Sequence, residues 1–369
     1  MAKTLNILIV TKDVAEYLIY SVLASALRSR GHKVTVVAEG LSLDKWLGEG
    51  EEIFFGRPKE AFCNQKTRFR NNLSPSKILK MIRPDLVLTG LGAPINLGEK
   101  FGIVANIQSI KLGYITDVWG VETRSQAMPN FICTLDTVGE KLIKSHKWYR
   151  FCPPRVYVTG SPAMDRLTSV KPDEYVSTVA ARYDLSVLLV GQDESTTPVI
   201  EGLLEALGKL TAAGKRPLLI PRLHPKFLAR EDLQRIWLVA LTKAPCDVLW
   251  FGNMFGFVPI VSTTQLMCSA DITVSTYSNA LIEAAALGST SVSWVSDVGR
   301  EKMRGALGGL ERFPLVDYGC AVEVSTANEF IAITSEQRDM VCARCKEVFP
   351  NDGKNIERVV AAIEKEFDV

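Results

Sequence analysis

Short aliphatic runs alternate with amphipathic segments along most of the chain. The first run, residues 5–10, is typical of a strand that is buried on both faces of a parallel sheet. After a polar turn, apolar residues recur between positions 18 and 27 at the spacing of a helix. Cations and Gly31 end this predicted helix, and residues 34–38 form the next aliphatic run. The pattern predicts a βαβ unit at the start of the chain.

The same alternation continues in two sets, with a break between them. The first set predicts further strands over residues 86–89, 103–107, 131–134 and 156–159, and a helix over 138–144. A Gly-Ser-Pro turn at residues 160–162 and a polar stretch at 168–173 interrupt the pattern, and we place a hinge there. The second set predicts strands over 186–190, 217–220, 247–251, 271–274 and 290–295, and helices over 199–210, 232–241 and 279–287. A capping box at 262–265 predicts a short helix, and an amphipathic helix covers 356–367.

Two consecutive sets of strand–helix alternation predict an α/β protein with two doubly wound, Rossmann-like domains. The length of 369 residues agrees with this, because it is too long for one ordinary core. Ligands of doubly wound sheets bind beyond the carboxyl ends of the strands. We therefore expect the functional site in a central cleft that the two sheets face.

Composition narrows the class of protein. A hydrophobic fraction of 47% with 23% charged residues excludes a disordered or collagen-like chain. The 43 Lys and Arg residues nearly balance the 41 Asp and Glu residues, which argues against nucleic acid as the main partner. No apolar run approaches the roughly 20 residues of a membrane-spanning helix, and the aliphatic run at 5–10 is too short for a signal peptide. We therefore predict a cytoplasmic protein. Its eight cysteines are predicted to be reduced thiols, with Cys342 and Cys345 on a helix surface.

The strongest candidate for chemistry is the polar segment 275–279, which follows a predicted strand and opens a predicted helix. Such a place directs free backbone N–H groups and the positive end of the helix dipole at a ligand, and phosphate fits it. Hydroxyl groups of Ser275, Thr276 and Ser278 would add donors, and Glu283 could accept hydrogen bonds from sugar hydroxyls. In the alternative interpretation, the hydroxyls only cap the helix and Glu283 is solvated.

Other predicted strand ends add polar groups to the same edge. Residues 191–195 follow one strand, and Arg222 and His224 follow another. The forked donors of an Arg at a strand end suit a diphosphate, whereas a packed or capping role is the alternative for His224. In the first half, Asp13 or Glu16 could be the base that activates an acceptor hydroxyl, although an N-cap at Asp13 with Glu16 as its capping-box partner is equally consistent. Trp119 could stack on a sugar or pack in the core.

Several motifs are missing from the sequence. The segment 90–92 lacks the third glycine of G-x-G-x-x-G, and there is no G-x-x-x-x-G-K-[ST]. No Asp-x-Asp occurs, and no His or Cys cluster has the spacing of metal ligands. We therefore expect neither a metal nor a bound cofactor.

Four stretches resemble the GT-B superfamily, which includes glycosyltransferases, non-hydrolysing UDP-N-acetylglucosamine 2-epimerases and the lipid A disaccharide synthase group. They are the opening strand, loop and helix with its ending R-S-R-G-H-K-V at 28–34, the V-Y-V-T-G-S-P-A-M-D segment at 156–165, the R-L-H-P loop at 222–225, and the strand and helix over 270–288. The resemblance implies an acceptor-side domain over residues 1–165, a donor-side domain over 166–350, and a final helix over 351–369 that crosses back onto the first domain.

The resemblance also implies a nucleotide-sugar donor, UDP-linked in the simplest case, held by the second domain. It places the donor at Arg222, at Ser275, Thr276, Tyr277, Ser278 and Asn279, and at Glu283, and the strand-end argument adds Gly191 and Gln192 as donor-binding residues. From their places at strand ends, the candidate catalytic residues are Asp13, Glu16, Arg222 and His224.

The helix at 279–283 lacks the Gly-Gly or Gln-Glu that epimerases show, and 296–301 matches their Arg/Glu-rich segment only in part. Metal-independent glycosyl transfer is therefore favoured over 2-epimerisation, and a non-catalytic nucleotide-sugar-binding protein is the third alternative. The acceptor is unidentified, a lipid acceptor would bring peripheral membrane contact, and the sequence leaves oligomerisation open.

Overall fold

The computed structural model describes residues 3–49, 53–55, 74–90, 96–121, 125–192, 195–224, 231–250, 261–349 and 352–368. The chain divides into two compact units. Unit 1 comprises Met1–Arg166 together with Asp352–Val369, and unit 2 comprises Leu167–Asn351. Parts of four segments singled out in the sequence lie outside the described residues: 91–92 of the glycine segment, 193–194 of the segment 191–195, 225 of the R-L-H-P loop and 251 of the predicted strand over 247–251.

Unit 1 is built on a parallel seven-stranded sheet with the order β3-β2-β1-β4-β5-β6-β7. Its strands are β1 (Asn6–Thr11), β2 (Lys33–Ala38), β3 (Ile53–Phe55), β4 (Leu86–Thr89), β5 (Lys111–Ile115), β6 (Phe131–Thr134) and β7 (Arg155–Val158). Its helices up to the boundary are α1 (Val14–Ser29), α2 (Gly40–Gly48), α3 (Pro75–Ile82), α4 (Leu97–Ile107), α5 (Thr137–Ser145) and α6 (Pro162–Asp165). Alternate residues of β1 enter two separate cores, Ile7 on one face and Leu8 on the other, so both faces of the sheet are covered.

Unit 2 repeats this plan with a parallel six-stranded sheet of order β10-β9-β8-β11-β12-β13. Its strands are β8 (Leu185–Val190), β9 (Pro217–Arg222), β10 (Asp247–Val248), β11 (Ile272–Ser275), β12 (Thr290–Trp294) and β13 (Ala321–Val324). Its helices are α7 (Glu174–Ala180), α8 (Thr196–Ala212), α9 (Glu231–Thr242), α10 (Thr263–Ser269), α11 (Asn279–Ala286), α12 (Asp297–Ala306), α13 (Pro314–Asp317), α14 (Ala327–Ile331) and α15 (Ser335–Val348). The predicted fold class, two doubly wound α/β domains, is confirmed.

One predicted strand is wrong. Residues 103–107 belong to α4, and the strand that pairs with β4 is Lys111–Ile115. The apolar residues of this segment can also form one face of a helix. In the structure, Phe101 and Ala105 lie one helical turn apart and are both buried against the sheet. Gly113 interrupts the apolar pattern of the true strand for a physical reason: a Cβ there would lie 2.3 Å from the Phe131 ring.

The last helix, α16 (Asn355–Lys365), packs against α1 and α6 within unit 1. Its first turn has no cap from its own residues, and the Asp165 carboxylate of α6 accepts hydrogen bonds from the amides of Asn355 (3.1 Å) and Ile356 (2.8 Å). Val359 and Ile363 of this helix are buried in the core beside β1. The aspartate that ends the V-Y-V-T-G-S-P-A-M-D segment therefore attaches the end of the chain to unit 1.

Within the described ranges, every helix is too short or too polar to cross a bilayer.

Candidate active site

Both sheets have a place where the strand order changes direction. In unit 1 the chain winds outward from β1 through β2 to β3, and then returns to β4 on the other side of β1. In unit 2 the corresponding neighbours are β8 and β11. Loops that leave the carboxyl ends of two such strands turn in opposite directions and leave a crevice, which is where doubly wound sheets bind ligands. These two edges contain the predicted site residues.

At the edge of unit 2, residues from three strand ends meet. Gln192 follows β8, and its side-chain oxygen accepts a hydrogen bond from the backbone amide of Tyr277 (3.1 Å), which follows β11. The amide of Gly191 donates to the carbonyl of Arg222 at the end of β9 (2.9 Å). A Cβ on Gly191 would lie 3.3 Å from the amide nitrogen of His224. The structure thus brings Gly191, Gln192, Arg222, His224 and Tyr277 together.

Arg222 has the most unusual environment of these residues. Only 8% of it is exposed, and its Nε donates to the Thr263 hydroxyl at 3.1 Å. Its Nη1 is buried and finds no hydrogen-bond partner in the described part of the chain. Burial lowers the pKa of the guanidinium, but an arginine remains protonated in proteins. A buried cation with spare donors is costly unless an anion pairs with it.

The predicted hydroxyl donors differ in what they contact. The Ser275 hydroxyl donates to the carbonyl of Val190 on the neighbouring strand at 2.9 Å and is fully buried. Ser275 therefore holds β11 to β8, and its hydroxyl proton is engaged within the protein. Ser278 caps α11 by accepting a hydrogen bond from the amide of Ala280 (3.2 Å), as the capping interpretation required. The Thr276 hydroxyl is buried and has no hydrogen-bond partner among the residues described.

The backbone amides ahead of Asn279 are in part occupied by protein. The Tyr277 amide is held by Gln192, so it is not a free donor for phosphate. The amide of Leu281 donates to the Ser278 carbonyl at 2.9 Å, as expected inside a helix turn. Asn279 opens α11, and Glu283 lies half-buried about one turn further on. Among the amides ahead of Asn279, that of Tyr277 is therefore engaged within the protein, and Gln192 holds the loop after β11 to the end of β8.

At the edge of unit 1, Glu16 lies in the first turn of α1 and is only 6% exposed. One carboxylate oxygen accepts hydrogen bonds from the amides of Lys12 (2.5 Å) and Asp13 (3.2 Å), which is the predicted capping box. The other oxygen, Oε1, is buried and has no hydrogen-bond partner in the described ranges. Gly90 at the end of β4 makes room for this side chain, since a Cβ there would lie 2.6 Å from Glu16 Cγ. Glu16 therefore lies where the strand order of unit 1 changes direction.

The environment of Glu16 raises its pKa from 4.5 to about 7. The largest cause is loss of hydration on burial, and the negative charges of Asp13 and Asp117 add to it, while the two amide hydrogen bonds oppose it. Such a group can take up or release a proton near neutral pH. Sequence reasoning missed Asp117, which follows β5; the signal was its place at a strand end.

The remaining aromatic candidate has a structural role. Trp119 is 1% exposed, and its indole N–H donates to both carboxylate oxygens of Asp136 at 3.0 and 2.9 Å. It therefore packs in unit 1, and stacking on a sugar is excluded for this conformation. Cys345 is likewise buried rather than on a helix surface, and its thiol donates to the carbonyl of Cys320 at 3.3 Å. In the part of the chain that the structure describes, no three His, Cys, Asp or Glu side chains are grouped to hold a metal ion.

No family model and no curated protein sequence matches the chain. Solved structures do match over nearly its whole length. MnaA of S. aureus with UDP is 14% identical, with a TM-score of 0.70 and coverage of 100% of this chain and 97% of that one. UDP-GlcNAc 2-epimerase of Neisseria meningitidis bound to UDP-GlcNAc is 14% identical, with a TM-score of 0.64 over 97% and 99%. A glycosyltransferase of Rickettsia africae is 15% identical, with a TM-score of 0.60 over 99% and 98%. The resemblance to the GT-B superfamily is thereby confirmed as a likeness of fold.

Proposed function

We propose that this protein binds a nucleotide-diphosphate sugar and transfers the sugar to an acceptor without a metal ion. The observation that carries the proposal is the buried Arg222 at the carboxyl edge of unit 2, whose Nη1 meets no acceptor within the described residues. A diphosphate would supply the missing negative charge through paired hydrogen bonds. Solved structures of the same fold contain UDP or UDP-GlcNAc, which supports this class of donor.

In the proposed reaction, an acceptor hydroxyl loses its proton to a carboxylate of unit 1 and attacks the anomeric carbon of the sugar. The bond between that carbon and the diphosphate oxygen breaks, and the nucleoside diphosphate leaves with the electron pair. Arg222 stabilises the charge that grows on the leaving group. We assign the base to Glu16, because a pKa of about 7 lets the group accept a proton near neutral pH. Inversion at the anomeric carbon is the expected outcome.

A second candidate function is epimerisation of the sugar at C2. Two observations favour it: a UDP-GlcNAc 2-epimerase is among the solved structures that share the fold, and a carboxyl with a pKa of about 7 also suits proton removal from carbon. The sequence of α11 argues against it, since Asn279 to Glu283 lacks the residues that epimerases show there.

One experiment separates the two functions. The protein is incubated with UDP-N-acetylglucosamine in deuterated water, with and without an acceptor panel, and followed by proton NMR. Glycosyl transfer predicts release of UDP only with an acceptor, and no deuterium at C2. Epimerisation predicts loss of the C2 proton signal without an acceptor. Donor binding by calorimetry without either product would support a non-catalytic binding protein and contradict both.

A thermal-shift screen against nucleotides and nucleotide sugars comes first, because a ligand that binds only the folded state raises the melting temperature. Arg222→Met is the test variant, and Arg304→Met is its control, since Arg304 is an exposed cation paired with Glu311. The proposal predicts that the donor stabilises the control like the wild type. If no nucleotide diphosphate shifts the melting temperature of the wild type, the proposal fails.

A further inference from the structure

An exposed aromatic and basic surface lies in unit 1, between α5 and β7. A 3-10 turn spans Lys147–Arg150, and the segment after it leads through two prolines into Arg155. Trp148 is 56% exposed and Phe151 is 88% exposed, whereas Tyr149 between them is buried. Side chains three residues apart in such a turn lie on the same face. The two exposed rings therefore form one surface, and Tyr149 anchors it in the core.

Positive charge surrounds these rings. Residues 141–155 contain five Lys and Arg and no Asp or Glu, while the whole chain carries a net charge of only +2. All five are exposed. Lys144 pairs with Glu140 and Arg155 with Glu366, but Lys141, Lys147 and Arg150 form no ion pair with any described residue. The Lys147 ammonium lies 5.6 Å from the centre of the Trp148 ring, so charge and ring are adjacent.

We propose that this surface, defined by Lys147, Trp148, Arg150 and Phe151, docks on a bilayer that contains anionic phospholipid. Trp and Phe rings partition into the boundary between headgroups and acyl chains, and unpaired cations are attracted to anionic headgroups. The proposal does not depend on the proposed activity.

Two features favour a membrane over a nucleic acid. Phe151 has no polar atom in its side chain and is almost fully exposed, which suits insertion below the headgroups. The rest of the chain is nearly neutral in net charge, which argues against the extended basic footprint that tracks a phosphate backbone.

The place of the surface in the fold is compatible with function. The segment leads into the amino end of β7, the last strand of its sheet. Glu16 lies at the carboxyl edge of that sheet. Docking through the aromatic surface would therefore leave the candidate site of unit 1 uncovered.

The test measures binding of the full chain to sedimented vesicles of phosphatidylcholine, with and without about one-third phosphatidylglycerol. Two double variants remove the rings and the charges separately. One combines Trp148→Ser with Phe151→Ser, and the other combines Lys147→Gln with Arg150→Gln. The matched controls are Tyr175→Ser, an exposed ring of unit 2, and Lys80→Gln with Lys100→Gln, two exposed cations of unit 1. We expect either test variant to weaken binding to anionic vesicles about ten-fold or more, and the controls to bind like the wild type.

Tryptophan fluorescence locates the contact. Of the six tryptophans, Trp46, Trp119, Trp237 and Trp294 are at most 2% exposed. In a Trp250→Phe background, a blue shift on adding anionic vesicles therefore reports on Trp148, and we expect that shift. Equal vesicle binding by wild type and both test variants would overturn the proposal. The proposal would also be overturned if the two test variants lost binding to a single-stranded oligonucleotide but still bound vesicles like the wild type.

Discussion

The carboxyl edges of the two sheets share one topology but differ in chemistry. In unit 1 the edge at β1 and β4 carries the Glu16 carboxyl, whose pKa is raised by burial and, less strongly, by the charges of Asp13 and Asp117. In unit 2 the edge near β8 and β11 carries the buried Arg222 guanidinium and several hydroxyls. The strand order around both edges follows the same rule. The sheet therefore provides a crevice, and the residues after each strand decide what it binds.

Both edges also contain an incompletely satisfied polar group. Glu16 Oε1 and Arg222 Nη1 are buried without a hydrogen-bond partner in the described parts of their units. Each costs stability in the ligand-free protein, because desolvation of a charged group is not repaid. Perturbed charged groups of this kind cluster at functional sites, where a ligand or a proton can complete them. If Glu16 is a base and Arg222 binds an anion, substitutions at the two residues should have different effects.

The largest effect is expected for Glu16→Gln. The amide keeps an oxygen for the Lys12 and Asp13 amides but cannot accept the proton of an acceptor. Turnover should fall about 10²- to 10⁴-fold, with the donor dissociation constant changed little. Steady-state kinetics and calorimetry measure the two quantities. Glu366→Gln is the control, a buried carboxylate paired with Arg155, and it should keep its turnover; an active Glu16→Gln enzyme would refute the base.

Arg222→Met should have the next largest effect, and a different one. Loss of a group that stabilises charge developing in the transition state should lower turnover about 10²-fold or more. Donor affinity should fall by less, since leaving-group charge is smaller in the ground state. Comparison of turnover with the calorimetric dissociation constant gives the result. An Arg222→Met enzyme with unaltered turnover contradicts the assignment.

The pH dependence of stability distinguishes the two edges without any substrate. In the native state the pKa of Glu16 is about 7, against 4.5 for a glutamate in its ordinary environment. Between these values it holds more protons than the unfolded state, so the free energy of unfolding falls as pH rises through this window. The full difference corresponds to about 3 kcal/mol. Urea unfolding at pH 5 and pH 8 should show a smaller decrease in Glu16→Gln than in the wild type, and equal decreases would contradict the raised pKa.

Asp165→Ala tests the attachment of α16, which is independent of both edges. The substitution leaves the amides of Asn355 and Ile356 without their acceptor, and unfolding free energy should fall by about 2 kcal/mol. Asp352→Ala is the control, because Asp352 is exposed and pairs with Arg358 near the same helix; its effect should be smaller. Donor affinity should not change in either variant, as calorimetry would show. A loss of affinity in Asp165→Ala would link α16 to the site.

The sequence predicted those parts of the fold in which burial is complete and local. Aliphatic runs such as 5–10 and 186–190 are typical of strands buried on both faces, and both fall in strands of their sheets. The apolar residues at 103–107 are compatible with a buried strand or with a buried helix. They belong to the helix that begins after Asn96, whose side chain caps it by accepting a hydrogen bond from the Glu99 amide at 2.8 Å. β13 gave no signal, because two of its four residues are only half-buried.

The site was less predictable because its properties depend on residues far apart in sequence. Arg222 and Gly191 are neighbours since Val190 pairs with Arg222 in the register of β8 and β9. The pKa of Glu16 is raised mainly by burial, and the absence of a Cβ at Gly90, at the end of another strand, leaves room for the buried side chain. Ser275 looked like a ligand donor because sequence cannot show on which strand its hydroxyl finds an acceptor.

The smallest predicted effects compare two adjacent hydroxyls of unit 2. Ser275→Ala removes a hydrogen bond to Val190 and should lower unfolding free energy by about 1 kcal/mol, with donor affinity unchanged. Thr276→Val removes a buried hydroxyl that has no partner among the described residues, so stability should stay the same or rise slightly. If Thr276 completes its hydrogen bond with the donor, Thr276→Val weakens donor binding while Ser275→Ala does not. Urea unfolding and calorimetry measure both variants, and the reverse pattern would place the ligand on Ser275 instead.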